Sequence, residues 1–560
     1  MKRLHCISII FLFGSVVALG APTPPPQSAE DAIDAAGLLG HIKVLGSDKF
    51  EGRAPGSHGE DLSIAYITEQ FKKLGLQPGN PNGTYTQEVP LAGIRTTPQG
   101  SFTIGDKKIE LHSPADFVAF TQRITPQVEV KDSDLVFVGY GIVAPEYGWD
   151  DFKGADLKGK TLIFLINDPP ISSPENPGQL DEKMFKGKAM TYYGRWTYKY
   201  EEAARQGAAA AVIVHETIPA AYPWSVVENS NAKENFTLDT PDKNMESVAV
   251  RAWITLEQAK QVFAAAGKSY DDMKQAALRK DFHPVSLGAT AEFSLQNQIR
   301  HIKSHNVIGR LEGSDPEQKK QYIIYSAHWD HLGRDPKLKG DQIYNGALDN
   351  ASGVASILEI AQAFTKLPKR PPRSILFLAT TAEEANLLGA KYYAEHPSYP
   401  LDHTLADINI DIVNPWGKTR DIEDISYANS TLDEIFAQAA RRQGRLAKPN
   451  SEPEKGSFFR ADQFELSKAG VPSLYPGSKP KEFIGKPAGY GQKVSDDYTL
   501  NHYHRVSDEV NPNWDLSGAV QDTRLLFEVG YEVATGNEIP AWLPGSEFKS
   551  SRDKTMSTRR

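Results

Sequence analysis

Between Asp61 and Leu74 the apolar residues Ile64, Ile67, Phe71 and Leu74 recur at intervals of 3, 4 and 3, which places them on one face of a helix. Gly75 follows as its C-terminal stop. From about Leu91 to Arg300 the pattern changes to short β-rich runs such as Leu135-Val136-Phe137-Val138 and Thr161–Ile166, separated by Gly and Pro. Within this region Tyr200–Gly207 predicts a short helix leading into the apolar strand Ala209–Val214, so the unit is mostly, not purely, β. From about His305 the pattern becomes strand, loop, helix. Tyr322–Ser326, Ser374–Ala379 and Asp407–Val413 predict buried strands, and Val354, Ile357, Leu358, Ala361 and Phe364 predict an amphipathic helix. Strands that alternate with helices predict an α/β fold, a β-sheet flanked by helices on both faces.

These breaks divide the 560 residues into a leader (1–20), a Pro-rich linker (21–28), an N-terminal part of the main domain (29–90), an inserted mostly β domain (91–300), the remainder of the main domain (301–545) and a polar, basic tail expected to be disordered (546–560). The leader begins with Lys2 and Arg3, continues through Ile9–Leu19 and ends in Ala18-Leu19-Gly20 before Ala21, the layout of a cleavable signal peptide. Its apolar run is shorter than the ~20 residues of a membrane span. The expectation is an exported chain, periplasmic or secreted, with no stable span after cleavage. Cys6, the one cysteine, leaves with that leader, so no disulfide can form. Loss of Lys2 and Arg3 moves the formal charge from −9 to −11, and an acidic chain without a basic stripe excludes nucleic acid as a partner.

Two local patterns lack the context that their chemistry requires. Gly154–Thr161 satisfies the phosphate-loop spacing, but Thr161 opens a β run where that loop needs a helix N-terminus. Gly139–Ala144 resembles a dinucleotide fingerprint, yet Pro145 breaks the helix that should follow. No Gly-x-Ser-x-Gly elbow occurs, which removes the best local signal of a serine hydrolase.

Five segments in the second half carry metal-ligand side chains where open α/β sheets place their sites. His328 and Asp330 follow the strand from Tyr322, the carboxylate two residues on being suited to fix the imidazole. Asp349 lies in Asn345-Gly346-Ala347-Leu348-Asp349-Asn350-Ala351-Ser352-Gly353, where small residues allow a sharp bend; an N-cap aspartate is the structural alternative. Glu383 and Glu384 end the strand from Ser374 and repel each other unless a cation or proton intervenes; a helix's first turn is the alternative. Asp411 interrupts an apolar run, where an uncompensated charge is costly. Tyr503 and His504 come last, in His502–Glu509.

The ordered set His-x-Asp, Asp-Asn-Ala-Ser-Gly, Glu-Glu, Asn-x-Asp and Tyr-His resembles the M28 family of zinc peptidases. Gly52-Arg53-Ala54-Pro55-Gly56-Ser57 and the following helix resemble that family's N-terminal portion, and Leu91–Arg300 resembles an inserted protease-associated domain. The resemblance implies a zinc-dependent exopeptidase fold holding two zinc ions per chain: one on His328 and Asp411, the other on Glu384 and His504, with Asp349 bridging. It implies Glu383 as general base, Asp330 as the residue orienting His328, and Tyr503 as a donor to the developing oxyanion. The charged stretch Gly333–Ile343 is expected near the mouth of the site. His331, His403 and His502 have no position in the pattern and are expected to be solvated or core histidines.

The implied reaction is hydrolysis at the N-terminus of a peptide substrate by water activated between two zinc ions, since a free α-amine could sit against the acidic cluster. A carboxypeptidase acting on acidic peptides, a glutaminyl-cyclase-like acyltransferase and a receptor-like binding protein without catalysis stay open.

Overall fold

The computed structural model describes residues 24–557, apart from Ala232 and Ser478. The expected leader therefore lies outside the described residues. In chain order the elements used below are α1 (Ala35–Leu45), α2 (His58–Lys73), β1 (Thr86–Ile104), β2 (Phe117–Phe120), β3 (Gln127–Phe137), β4 (Thr161–Leu165), α3 (Trp196–Arg205), β5 (Ala210–His215), β6 (Val250–Thr255), β7 (Val285–Leu311), β8 (Tyr322–His328), α4 (Ala351–Thr365), β9 (Ser374–Thr380), α5 (Leu388–Glu395), β10 (Thr404–Asn409), β11 (Ser473–Leu474), α6 (Ser517–Thr535) and α7 (Lys549–Ser557). The strands run β11-β10-β8-β9-β7-β3-β4-β5-β6-β2 in one mixed sheet.

The helix expected from Asp61 starts earlier because the Ser57 side chain accepts from the Glu60 amide and caps it. Gly75 adopts φ +73° just past its end, a left-handed conformation that glycine takes without a Cβ penalty. At the centre of the sheet β8 runs parallel to both β9 and β10. Residues alternate across β8: Ile323, Tyr325 and Ala327 face the core built with α1, α2, α4 and α6, and Tyr322 and Ile324 face a smaller core that includes Tyr393 of α5. Helices thus cover both faces, as the alternation predicts. Each fully buried Leu, Ile or Phe in these layers contributes roughly 1.5–3 kcal/mol, which fixes the strand ends in space.

Four expectations are corrected. Helix α4 is buried nearly all round, not amphipathic, because α1 and α6 cover the face that would otherwise meet water; Glu359 on it is 2% exposed and lies 3.6 Å from His41. The boundaries at 90/91 and 300/301 fall inside a continuous ribbon, in which β1 and β7 pair from Val307↔Thr86 to Ala289↔Ile104. This ribbon carries the backbone from the main core to the separate apolar cores of the middle unit without a break. The tail folds over Lys549–Ser557 as a helix, because buried Arg552 donates to the Leu401 and Thr404 carbonyls and Phe548 packs on Trp542. At the other end, Gln27 and Ser28 of the expected linker already belong to the short helix Gln27–Glu30. No helix among the described residues is long and apolar enough to cross a membrane.

Candidate metal centre

The three central parallel strands end side by side. His328 is the last residue of β8 and registers with Thr380, the last of β9; Ser326 registers with Asn409, the last of β10. Glu383 and Glu384 lie in the loop that leaves β9, and Asp411 lies two residues beyond β10. The helix after the glutamates begins only at Leu388, so they are not in its first turn. Asp349 arrives from the bend before α4. The N-cap of α4 is Asn350, whose side chain accepts from the Gly353 amide, so the Asp349 carboxylate is free of capping. Gly346 makes the bend: its φ is +52°, and a Cβ there would lie 2.2 Å from the Asp349 carbonyl oxygen and 2.6 Å from the His331 ring.

Two clusters result, joined by Asp349. In the first, His328 Nε2 lies 3.3 Å from Asp349 Oδ1, 3.5 Å from Asp411 Oδ1 and 4.0 Å from Glu383 Oε2. In the second, His504 Nε2 lies 3.3 Å from Asp349 Oδ2 and 3.1 Å from Glu384 Oε2. His328, Asp349 and Asp411 offer ligand atoms within 4.8 Å of one another, and so do His331, Asp349 and Glu384.

His331 corrects the expectation of a solvated or ordinary core histidine. It is 1% exposed, and its Nδ1 lies 2.7 Å from Glu384 Oε1 without the alignment of a hydrogen bond, leaving both atoms unpartnered. His403 and His502 lie outside the two clusters, Nδ1 of each against a backbone carbonyl, that of Lys320 and Ser507 respectively.

Asp330 orients His328 differently from the expected carboxylate contact. The His328 Nδ1 lies 3.1 Å from the Asp330 main-chain carbonyl, which can only accept, so Nδ1 carries the hydrogen and Nε2 is left with its lone pair toward the cluster. The Asp330 carboxylate is 3.7 Å from that ring and instead accepts from the Glu383 amide at 3.1 Å. Tyr503 stacks on His504 with ring centres 3.9 Å apart, and 43% of its surface is exposed.

The donor set fits zinc. His328 Nε2, Asp411 Oδ1 and Glu384 Oε1 are buried polar atoms with no hydrogen-bond partner, and nitrogen and carboxylate oxygen are the ligands zinc takes in catalytic sites. Electrostatics point the same way. Burial opposes charge on His328, but Glu383 and the contacts to Asp330, Asp349 and Asp411 outweigh it and raise its pKa well above the usual value. Burial raises the Glu383 carboxyl well above its usual range, with Glu384 and Asp411 adding to the effect, whereas His504 and His331 overcome burial to hold Glu384 low. Such crowding of carboxylates is what a bound cation relieves.

Three residues near the site were not assigned a role by the sequence pattern. Arg53, in the turn-rich loop after α1, is 1% exposed and donates to the carbonyls of Leu45, Trp329, Asn345 and Gly346. Asp508 accepts from the amides of Leu348 and Asp349, holding the bend from the other side. Tyr475 follows β11; burial and the charges of Asp411 and Glu383 raise its phenol well above the usual range. The stretch Gly333–Ile343 contributes to a small hairpin, Gly333–Arg334 against Ile343–Tyr344, where a Cβ on Gly333 would lie 2.6 Å from Ala54.

The model of peptidase family M28 matches residues 306–527, the span that carries all five candidate ligands, both glutamates and the Tyr-His pair. Residues 306–527 belong to peptidase family M28. Over 131 residues the chain is 34% identical to the aminopeptidase NAALADL1 of Mus musculus, a match covering 22% of this chain and 16% of the mouse protein. It is 27% identical over 267 residues to a vacuolar membrane protease of Coccidioides posadasii, covering 45% of this chain and 23% of the fungal one. It is 22% identical over 389 residues to the probable leucine aminopeptidase 2 of Aspergillus oryzae, covering 69% and 60%. The chain thus spans less than two thirds of the length of each of these relatives. Among solved structures, an aminopeptidase from Aneurinibacillus sp. strain AM-1 aligns at a TM-score of 0.48 and 21% identity, covering 92% of this chain and 97% of that one. A zinc aminopeptidase from Bacillus subtilis aligns at 0.42 and 18%, covering 90% and 96%.

Proposed function

We propose that the protein is an exported two-zinc aminopeptidase that removes the N-terminal residue of peptides. The observation that carries the reading is Asp349, whose two oxygens each lie 3.3 Å from a different histidine and so can serve two ions at once. His328 and Asp411 would hold one zinc, and Glu384 with His504 the other, His331 lying against the same glutamate. Bound there, the two ions would supply Lewis acidity toward the scissile carbonyl and lower the pKa of water toward ~7.

Glu383 takes the proton of the attacking water and passes it to the leaving amine, a role suited to a carboxyl whose proton affinity burial has raised. The Asp330 carboxylate, by accepting from the Glu383 amide, holds that base in place. Tyr503, beside His504, would donate to the oxyanion. The substrate's free α-amine is drawn by the carboxylates of the cluster, which is why the N-terminus is the favoured end. Residues 91–300 would be the protease-associated insertion, and export rests on the character of residues 1–20.

A panel of aminoacyl peptides and their N-blocked counterparts, assayed with and without a chelator, tests this reading. Chelator-sensitive cleavage of the free peptides alone is expected. Comparable rates on the blocked peptides would overturn the N-terminal preference, and turnover unaffected by the chelator would overturn the zinc reaction.

A further inference from the structure

The loop that carries Glu383 and Glu384 has a strained backbone. Between the end of β9 at Thr380 and the start of α5 at Leu388, three residues other than glycine take left-handed conformations: Ala382 at φ +52°, Asn386 at +75° and Leu387 at +61°. A residue with a Cβ adopts this conformation at a cost, and keeps it only where its surroundings over-determine it. Asn306 of β7 pins the two ends of the loop, accepting from the Thr381 amide at 3.0 Å and donating to the Gly389 carbonyl at 2.9 Å. The stretch between closes on itself, from the Leu387 amide to the Glu383 carbonyl at 2.9 Å and from the Leu388 amide to the Ala382 carbonyl at 3.0 Å. Apolar packing supplies the rest, and it comes from two sides.

Both sides lead to the middle unit. On one, Ala382 and Leu388 belong to a buried cluster with Val89 and Leu91 of β1, Ile302 of β7 and Leu238. Leu238 is 3% exposed and ends the short strand Asn235–Leu238, which pairs with β1 at Leu238↔Leu91 and packs on α5. On the other side, buried Leu387 shares a cluster with Phe458, Phe459 and Phe464, against which Met190 and Tyr192 of the middle unit pack. The Tyr192 ring lies 5.1 Å from Phe464 and 6.3 Å from Phe459, and the Met190 amide donates to the Pro453 carbonyl at 3.1 Å.

Glu383 therefore lies between Ala382, which belongs to the first cluster, and Leu387, which belongs to the second and donates its amide to the Glu383 carbonyl. Attachment of the middle unit alone would be served by polar contacts of the seam, such as Lys186 with Glu547 and Lys468 with Glu201. Its apolar contacts instead converge on the strained loop.

We propose that the middle unit positions the general base: Leu238 and Tyr192 are positioning residues that hold residues 381–388 in the strained shape that presents Glu383. The inference rests on the aminopeptidase reading for the role of Glu383, and it gives the middle unit a part in the reaction that is separate from binding substrate.

The zinc-loaded full chain is compared with Leu238→Ala and Tyr192→Ala, with the shape-keeping Leu238→Ile and Tyr192→Phe, and with Val212→Ala, which opens a cavity in a core of the middle unit that includes neither cluster. On a free peptide that the wild type cleaves, both loop-side alanine variants are expected to lower kcat by about 10- to 100-fold, the cost of a misplaced catalytic group, with KM and zinc content unchanged. Leu238→Ile and Tyr192→Phe should keep kcat near that of the wild type. Val212→Ala should lower the thermal midpoint without moving kcat. Loss of stability with kcat intact in Leu238→Ala and Tyr192→Ala overturns the proposal, and so does a fall in kcat that Val212→Ala reproduces. Leu238→Val, a smaller truncation, takes the place of Leu238→Ala if that chain does not fold.

Hydrogen exchange followed by mass spectrometry reads the loop without turnover. Residues 381–389 should exchange faster in Leu238→Ala and Tyr192→Ala than in the wild type, while β8 keeps its protection. That result upholds the clamp even if the wild type cleaves no free peptide, an outcome that would sink only the aminopeptidase reading. Equal exchange of the loop in wild type and variants overturns the clamp.

Discussion

Arg53 Nη2 donates to the Gly346 carbonyl at 2.8 Å, tying the loop after α1 to the bend that presents Asp349. The same guanidinium takes the carbonyls of Asn345 and Leu45 at 2.6 Å and Trp329 at 2.8 Å, so one planar group fixes two of the ligand-bearing segments. A lysine ammonium at this position cannot reach carbonyls on opposite sides of the fork. Arg53→Lys is expected to leave buried carbonyls unsatisfied and cost roughly 2–4 kcal/mol in denaturant unfolding, with reduced zinc content in the folded fraction. Unchanged stability and zinc content would show that the clamp is not needed.

Glu383 stands 4.0 Å from His328 yet belongs to neither set of mutually close ligand atoms. Glu383→Gln should lower kcat by a factor of roughly 10² to 10⁴, the range for loss of a general base, while metal analysis finds the same zinc as in wild type. Loss of metal with activity would make Glu383 a ligand instead.

His331 lies 2.7 Å from Glu384 Oε1. Removing it with His331→Ala is expected to weaken zinc binding by about 10- to 100-fold at the Glu384 cluster while sparing the His328 cluster. Competition against a chromogenic chelator resolves the two steps. Equal weakening of both, or of neither, would contradict the placement of His331 at the second cluster.

Below the sheet's ligand-bearing edge, burial pushes the Asp407 carboxyl from its usual 3.8 to about 8, with Asp462 adding to the effect. The folded chain keeps a proton that the unfolded chain releases, so stability falls as pH rises from about 4 to about 8. Asp407→Asn cannot ionise and keeps an oxygen for the Ser326 hydroxyl, which now donates to Asp407 Oδ1 at 2.8 Å. Thermal midpoints of the variant and the wild type should therefore diverge in favour of the variant across that window. Parallel curves would mean that Asp407 is charged throughout.

The candidate ligands at strand ends were legible because an apolar run that stops at His328, at Glu383-Glu384 or around Asp411 marks both the strand and the edge at which it presents a polar group. Asp349 was legible through the small residues around it, since only Gly346 tolerates the bend. His331 was not, because its Glu384 partner is fifty-three residues away and adjacency to Asp330 gives no spacing signal. Arg53 was missed for a related reason: it acts on backbone carbonyls, which every residue has. The ribbon that carries the chain into the middle unit was hidden by Gly93, Pro98 and Gly100, which break the β pattern of a strand that runs unbroken from Thr86 to Ile104.

Zinc per chain, measured on wild type and on Asp349→Ala after gel filtration, tests the central claim most directly. One carboxylate shared between His328 and His504 predicts two zinc ions in the wild type and weakened binding of both in the variant, so that fewer than one remains. Two zinc ions retained by Asp349→Ala, or a single ion in the wild type, would contradict it.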